Sequence, residues 1–306
     1  MSTDESINDP IGKALARAQE GAQGANPEGQ QGSSVRNWVK PERTDRVGGR
    51  TNEPRAAAAG ELADFAIPAE LDPGELLQRN VLTGQGGEDL LAADRYRLLR
   101  TRIRQRMQPR GWNKLGITSP GSKEGKSLTA INLSIATARD TQGSVVLVDA
   151  DLRRPAIGKY LGLYPKAGLS EYLSGEAELT DIVYRLNVAN NLYVVPTQLM
   201  DRPLAPSHSP GSSARMQALL DVVATPNTTL IMDLPPIMVA DDVLSLAPLL
   251  DALMIIIRDG RTNIDDLREG AQLLSGFNLL GTVLNAAEED SKRLYGYYYG
   301  TGDRKR

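Results

Sequence analysis

SPGSKEGKSLTAINLS, residues Ser119–Ser134, nearly spells a phosphate-binding loop. The strict pattern G-x-x-x-x-G-K-[ST] asks for glycine where this chain has Pro120, while Gly125, Lys126 and Ser127 stand in their places. Context decides the reading. An apolar run of strand length, KLGIT (114–118), precedes the loop, and a helical pattern, KSLTAINLSIATA (126–138), follows it. In that setting backbone N–H groups and a helix N-terminus face phosphates. Lys126 then brings a point charge to the β- and γ-phosphates, and the Ser127 hydroxyl a ligand for Mg²⁺. Pro120 falls at the strand end, where its fixed φ is accommodated.

Further apolar runs follow along the chain: SVVLVD (144–149), NLYVV (191–195), TTLIMD (228–233), ALMIIIR (252–258) and GTVLN (281–285), with helical patterns between them. Unbroken Val/Ile/Leu runs mark strands buried on both faces, and their alternation with helices marks an α/β fold with a mostly parallel sheet flanked by helices. Two runs end in acid. SVVLVD closes on Asp149, with Asp151 two residues on, and TTLIMD closes on Asp233. In a parallel sheet both endings reach the carboxyl edge that also carries the loop. Carboxylates there suit Mg²⁺ coordination and activation of a nucleophile. A single strand-end aspartate often only caps the next helix; the combination with a phosphate loop reads as a site.

The chain has 306 residues, 41% apolar and 24% charged, which suits one α/β domain with an appendage. With no cysteine and one histidine, His208, thiolate and histidine metal clusters are excluded. The net charge of −3 gives no case for nucleic acid as a partner. No run reaches the roughly 18 apolar residues of a membrane span, and MSTDESINDP lacks the pattern of a secretory signal, so a cytoplasmic location is expected.

Three regions are expected. Residues 1–86 hold a short helix around PIGKALARAQEG and a linker, 20–60, too poor in large apolar side chains to offset its ordering entropy and therefore read as disordered. Residues 87–287 form the nucleotide-binding domain, opening with the helix LLAADRYRLLRTRIRQRM, whose stripe is read as Leu91, Leu98, Leu99 and Ile103. Residues 288–306 form a flexible, tyrosine-rich tail; from Ser291 on, five basic residues against Asp303 leave a local +4. Tyrosines as dense as Tyr295, Tyr297, Tyr298 and Tyr299 suit a stacking surface or strand edge, or a flexible substrate segment within reach of a neighbouring kinase site.

PGSKEGKS, VVLVDADLRRP (145–155) and TLIMDLPP (229–236) together resemble the bacterial tyrosine kinases, a deviant branch of the P-loop NTPases tied to exopolysaccharide synthesis and export. GLSEYLSGE (168–176), LYVVP (192–196) and LGTVLN (280–285) extend the match over roughly residues 90–300, and IGKALARAQE is similar to the start of autokinases of exosortase-linked loci. The resemblance implies ATP and Mg²⁺ as cofactors. It places Gly121, Ser122, Lys123, Glu124, Gly125, Lys126, Ser127 and Leu128 around the phosphates, and Ser127, Asp149 and Asp233 on the metal. Lys126, Asp149, Asp151 and Asp233 are the implied catalytic groups, and Asn285 lies where related ATPases contact adenine. Asp94, Arg97 and Arg100 match an E-x-x-R-x-x-R oligomerisation motif, with Asp for Glu.

The family loop reads P-G-E-G-K-S, so Ser122 and Lys123 replace Pro and Gly, and Lys123 stands either as an added phosphate contact or as a solvated charge. Septum-site and plasmid-partition ATPases carry a signature lysine where this chain has Gly121, which favours the kinase branch. The implied protein is a tyrosine autokinase that phosphorylates its own tail in trans within a homo-oligomer. It would be held at the inner face of the cell membrane by a membrane-embedded polysaccharide chain-length or activator protein and reset by a cognate tyrosine phosphatase. The alternatives are a nucleotide-switched assembly ATPase without kinase activity, and a scaffold in which the tyrosines are mere surface.

Overall fold

The computed structural model describes residues 62–83, 90–198, 212–239 and 241–287. The N-terminal helix and linker, His208 and the tail tyrosines lie outside these residues. Eight strands are described: β1 (Ile67–Ala69), β2 (Lys114–Thr118), β3 (Ser144–Asp149), β4 (Tyr184–Leu186), β5 (Leu192–Val195), β6 (Thr228–Asp233), β7 (Ala252–Arg258) and β8 (Leu279–Asn285). They make one sheet in the order β1-β4-β5-β3-β6-β2-β7-β8. The run from β5 to β8 is parallel throughout, and only the β4–β5 pair is antiparallel. The expected mostly parallel sheet is therefore present, and every apolar run read as a strand is one.

Helices flank both faces: α1 (Pro73–Gln78), α2 (Leu90–Met107), α3 (Lys126–Ala138), α4 (Ile157–Leu161), α5 (Leu169–Ser174), α6 (Ser212–Val223), α7 (Asp242–Leu246) and α8 (Ile264–Leu273). Alternate residues of each central strand serve opposite cores. Val146 and Val148 pack with Leu169, Leu219 and Leu267, while Val145 and Leu147 pack with Ile131, Leu133 and Ile135. Burial on both faces is why these strands carry no polar alternation.

Two strands escaped the sequence reading because each has three residues, too few for a period. β1 contains Pro68, which an edge strand tolerates: Ile67 N–H donates to Val183 O, and Asn187 N–H to Ala69 O, leaving the imide between them turned outward. Ile67–Ala69 thus join the sheet and α1 packs into its core, although the sequence opens the domain at residue 87. The missed signal was a helix start, DPGE. Asp72 Oδ1 accepts from the N–H groups of Gly74 and Glu75 at 2.7 and 3.1 Å, and Pro73 takes the first helical position. Leu76 of α1 is fully buried in the same core as Ile131 and Leu147. Leu76→Ala is expected to cost about 2–5 kcal/mol, read as a lower denaturation midpoint in urea. An unchanged midpoint would mean that this segment is not part of the cooperative unit.

The stripe of α2 also needs correction. Ala93, Tyr96, Leu99, Ile103 and Met107 face the core, and Leu98 is 53% exposed. Each residue turns the helix by about 100°, so Leu98 and Leu99 cannot share one narrow face.

Candidate active site

The phosphate loop joins β2 to α3, and its backbone is unusual. Gly125, the residue before α3, has φ 95°, and Lys123 has φ 64°. A Cβ at position 125 would collide with the Asn285 carboxamide nitrogen, so this glycine meets both a conformational and a spatial demand. Lys123 lies in the left-handed region with a full side chain, at a cost of about 1–2 kcal/mol. Such residues turn successive N–H groups inward, the geometry of an anion-binding concavity. The Lys123 side chain is exposed.

Register brings the acids together. In the β3–β6 pair Asp149 stands opposite Asp233, and Ile117 of β2 stands beside Asp233 in the next pair. Lys126 Nζ reaches Asp151 Oδ2 at 2.8 Å, Asp233 Oδ1 at 3.5 Å and Ser127 Oγ at 3.4 Å. All five of these residues, Asp149 included, are buried. Asp149 Oδ2 accepts from the N–H groups of Ala156 and Ile157 at 3.0 Å each, at the start of α4. Asp151 Oδ1 accepts from Arg154 N–H at 3.0 Å. Thr197 Oγ1 donates to Asp149 O at 2.6 Å, a contact no sequence pattern announced.

Three carboxylates thus surround one ammonium. Burial lowers the Lys126 pKa, but the charges of Asp233, Asp151 and Asp149 outweigh it, and the net shift is upward. Burial, then the charge of Asp233, pushes Asp149 well above the usual carboxylate range. Asp233 is raised as well: burial and Asp151 outweigh its ion pair with Lys126. Burial also raises Glu124, against hydrogen bonds from Thr262, Gly121 and Ser119.

Among the described residues nothing hydrogen-bonds to Asp149 Oδ1 or Asp233 Oδ2, both of which are buried. Buried oxygens of that kind call for a cation or a donor. Their hard, anionic character fits Mg²⁺, which takes one or two carboxylates together with waters and phosphate oxygens. Among the described residues no group of three or more metal-ligating side chains converges on one point.

The remaining sequence-derived residues divide. Gly121 N–H donates to Glu124 Oε2, so Glu124 turns back onto its own loop rather than outward. Leu128 packs against the core under α3. Asn285 ends β8 beside the loop, where its Nδ2 donates to Glu124 O at 2.9 Å and its Oδ1 accepts from Ala286 N–H. Asp94, Arg97 and Arg100 lie on α2, away from the acids. Arg97 pairs with Asp94 on the same helix, whereas Arg100 is drawn inward to Ala136 O and Asp140. A cavity of about 340 Å³ lined by Arg100, Met107, Trp112, Thr137, Asp140 and Asn227 lies at the opposite, amino edge of the sheet and contains none of the acid cluster.

No family model matches the chain. It is similar to the tyrosine-protein kinase YwqD of Bacillus subtilis, 30% identical over 233 residues that cover 75% of this chain and 95% of that protein. EpsB of Ralstonia nicotianae is 30% identical over 239 residues, covering 73% of this chain, which spans about a third (31%) of that longer relative. The fold is similar to the kinase domain of the Escherichia coli tyrosine kinase ETK, with a TM-score of 0.60 and 25% identity over 69% of this chain and 82% of that one.

Proposed function

As the chain belongs to the bacterial tyrosine kinase family, we propose that it is an ATP-dependent tyrosine autokinase of an exopolysaccharide system, acting on its own tail. The observation that carries this reading is the buried cluster of Lys126 with Asp151 and Asp233 beneath the phosphate loop, together with the unpartnered oxygens of Asp149 and Asp233. ATP seats its phosphates against the loop and the first turn of α3. Ser127, Asp149 and Asp233 would hold Mg²⁺, which would supply positive charge against the phosphates. Lys126 leaves Asp151 for the β- and γ-phosphates. That exchange frees the Asp151 carboxylate to take the proton of the attacking tyrosine hydroxyl. The tyrosine oxygen bonds to the γ-phosphorus, the bond to the β–γ bridging oxygen breaks, and ADP departs.

The substrates are Tyr295, Tyr297, Tyr298 and Tyr299 of a neighbouring copy, with α2 (Asp94, Arg97) as the packing surface. Each phosphate adds about −1.5 to −2 charge at pH 7, so two or three of them offset the tail's local +4 and loosen the assembly until a phosphatase acts. Among the described residues no helix is long and apolar enough to cross a membrane, and the recruiting partner in this reading is a membrane-embedded polysaccharide chain-length or activator protein. Mixing wild-type chain with a size-tagged Lys126→Met chain under Mg-ATP tests the reading. Phosphotyrosine is expected on the tail of the tagged chain. None on either chain would leave the assembly ATPase as the function, and phosphate on the wild-type chain alone would rule out transfer in trans.

A further inference from the structure

The phosphate loop is held from outside itself. On the side of β7 and β8, Asn285 Nδ2 donates to Glu124 O at 2.9 Å and Arg258 Nη1 to Lys123 O at 3.3 Å. The third hold runs through a side chain. Glu124 is 4% exposed, and its two oxygens serve different partners: Oε2 accepts from Gly121 N–H at 3.2 Å, and Oε1 accepts from the Thr262 hydroxyl at 2.7 Å. Thr262 lies in the turn between β7 and α8. Its oxygen accepts from Arg258 N–H at 2.7 Å, which directs its single proton toward Glu124. A charge-assisted bond of this kind is shorter and stronger than a neutral one. Glu124 thereby spans the loop from Gly121 to its own position next to Gly125, and Thr262 anchors that span to the sheet.

We propose that Thr262 is a positioning residue of the phosphate loop, acting through Glu124 to hold Gly121–Gly125 in the shape that receives a nucleotide. The inference rests on the reading of that loop as the nucleotide site. Thr262 touches no reacting atom. Its effect is on where the loop N–H groups stand before ATP arrives, so it is felt in affinity more than in turnover. A loop already in its bound shape spares the ordering cost of binding.

The full chain is the material for the test, with Mg-ADP affinity by calorimetry, KM for ATP and kcat by tail phosphorylation, and melting without nucleotide. Thr262→Val keeps the shape and deletes the hydroxyl. It is expected to weaken Mg-ADP and raise KM about ten-fold, with kcat within about three-fold of wild type. Thr262→Ser is expected to stay within about two-fold of wild type. In a Glu124→Gln background, Thr262→Val should add less than about two-fold, because the two act as one unit. Glu124→Gln alone should show the ten-fold loss, which keeps the idea testable if the valine variant does not fold. A lower melting temperature with unchanged Mg-ADP affinity overturns the proposal, as does a serine variant that behaves like valine, or full additivity with Glu124→Gln. Lys126→Met separates the two readings: if it binds Mg-ADP like wild type, the loop is not the nucleotide site and both fall. If it loses Mg-ADP while Thr262→Val does not, only the Thr262 role falls.

Discussion

Lys126→Met is expected to abolish tail phosphorylation and to weaken Mg-ATP binding. Among the described residues the ammonium is the one positive side chain within hydrogen-bond reach of Asp151 and Asp233, at 2.8 and 3.5 Å. Removing a preorganised group of this kind costs on the order of 10²–10³ in rate, and under the proposed mechanism the same group would also anchor the phosphates. The geometry adds a consequence for stability. Breaking a buried ion pair by deleting one partner costs about 3–5 kcal/mol, and Met leaves the three aspartates without their counter-charge. Protonation of the carboxylates relieves part of that cost, so the variant should regain stability as the pH falls. Phosphotyrosine blotting, with melting curves at several pH values, measures both effects. Undiminished phosphotyrosine in a folded Lys126→Met chain would remove this lysine from the mechanism.

Two aspartate variants should part company. Asp151→Asn is expected to keep nucleotide and lose about 10²–10⁴ in transfer rate, the usual scale for a missing general base. Asp149→Asn should also transfer poorly, because the proposed metal site would lose an anionic oxygen, yet it should be the more stable protein at pH 7. The sign follows from the upward shift of Asp149 above 3.8 in the folded chain. A group with a raised folded pKa contributes stability that is fully present below its unfolded pKa and is lost as pH rises through the folded value. At neutral pH the carboxyl of Asp149, charged in the unfolded chain and penalised by burial and by the charge of Asp233 in the folded one, therefore works against folding. Asparagine removes the charge and can keep both acceptor bonds to Ala156 and Ile157. Its melting temperature should exceed that of wild type at pH 7, and the gap should close toward pH 4. A lower melting temperature at pH 7 would mean that the Asp149 charge is compensated in the folded state. Wild-type turnover in both variants would place metal and base elsewhere.

The phosphate loop, the acidic strand ends and the parallel sheet were legible in the sequence for a local reason. β2, β3, β6 and β7 are buried on both faces, so their composition is uniform and their ends are marked by a change in chemistry at Thr118, Asp149 and Asp233. A loop whose N–H groups must face phosphates is likewise a local design of glycine, lysine and serine. Short, edge or long-range features were not legible. β1 and β4 are strands only because they pair, and α1 belongs to the core only because Leu76 finds Ile131 and Leu147 across the sheet. Which acid meets which is a matter of register: Asp149 opposite Asp233, and Asp151 carried back to Lys126 by the turn after β3. The same holds for Thr262, 138 residues from Glu124 along the chain. A hydroxyl in a surface turn has no sequence signature, and it becomes a partner of the loop only when β7 is laid beside β2. The residue types of the site were thus determined by the sequence alone. Their pairing, and the site's two carboxylate oxygens left without hydrogen-bond partners among the described residues, were decided by strand order and register, because interactions over 2–4 Å depend on positions that only the assembled sheet defines.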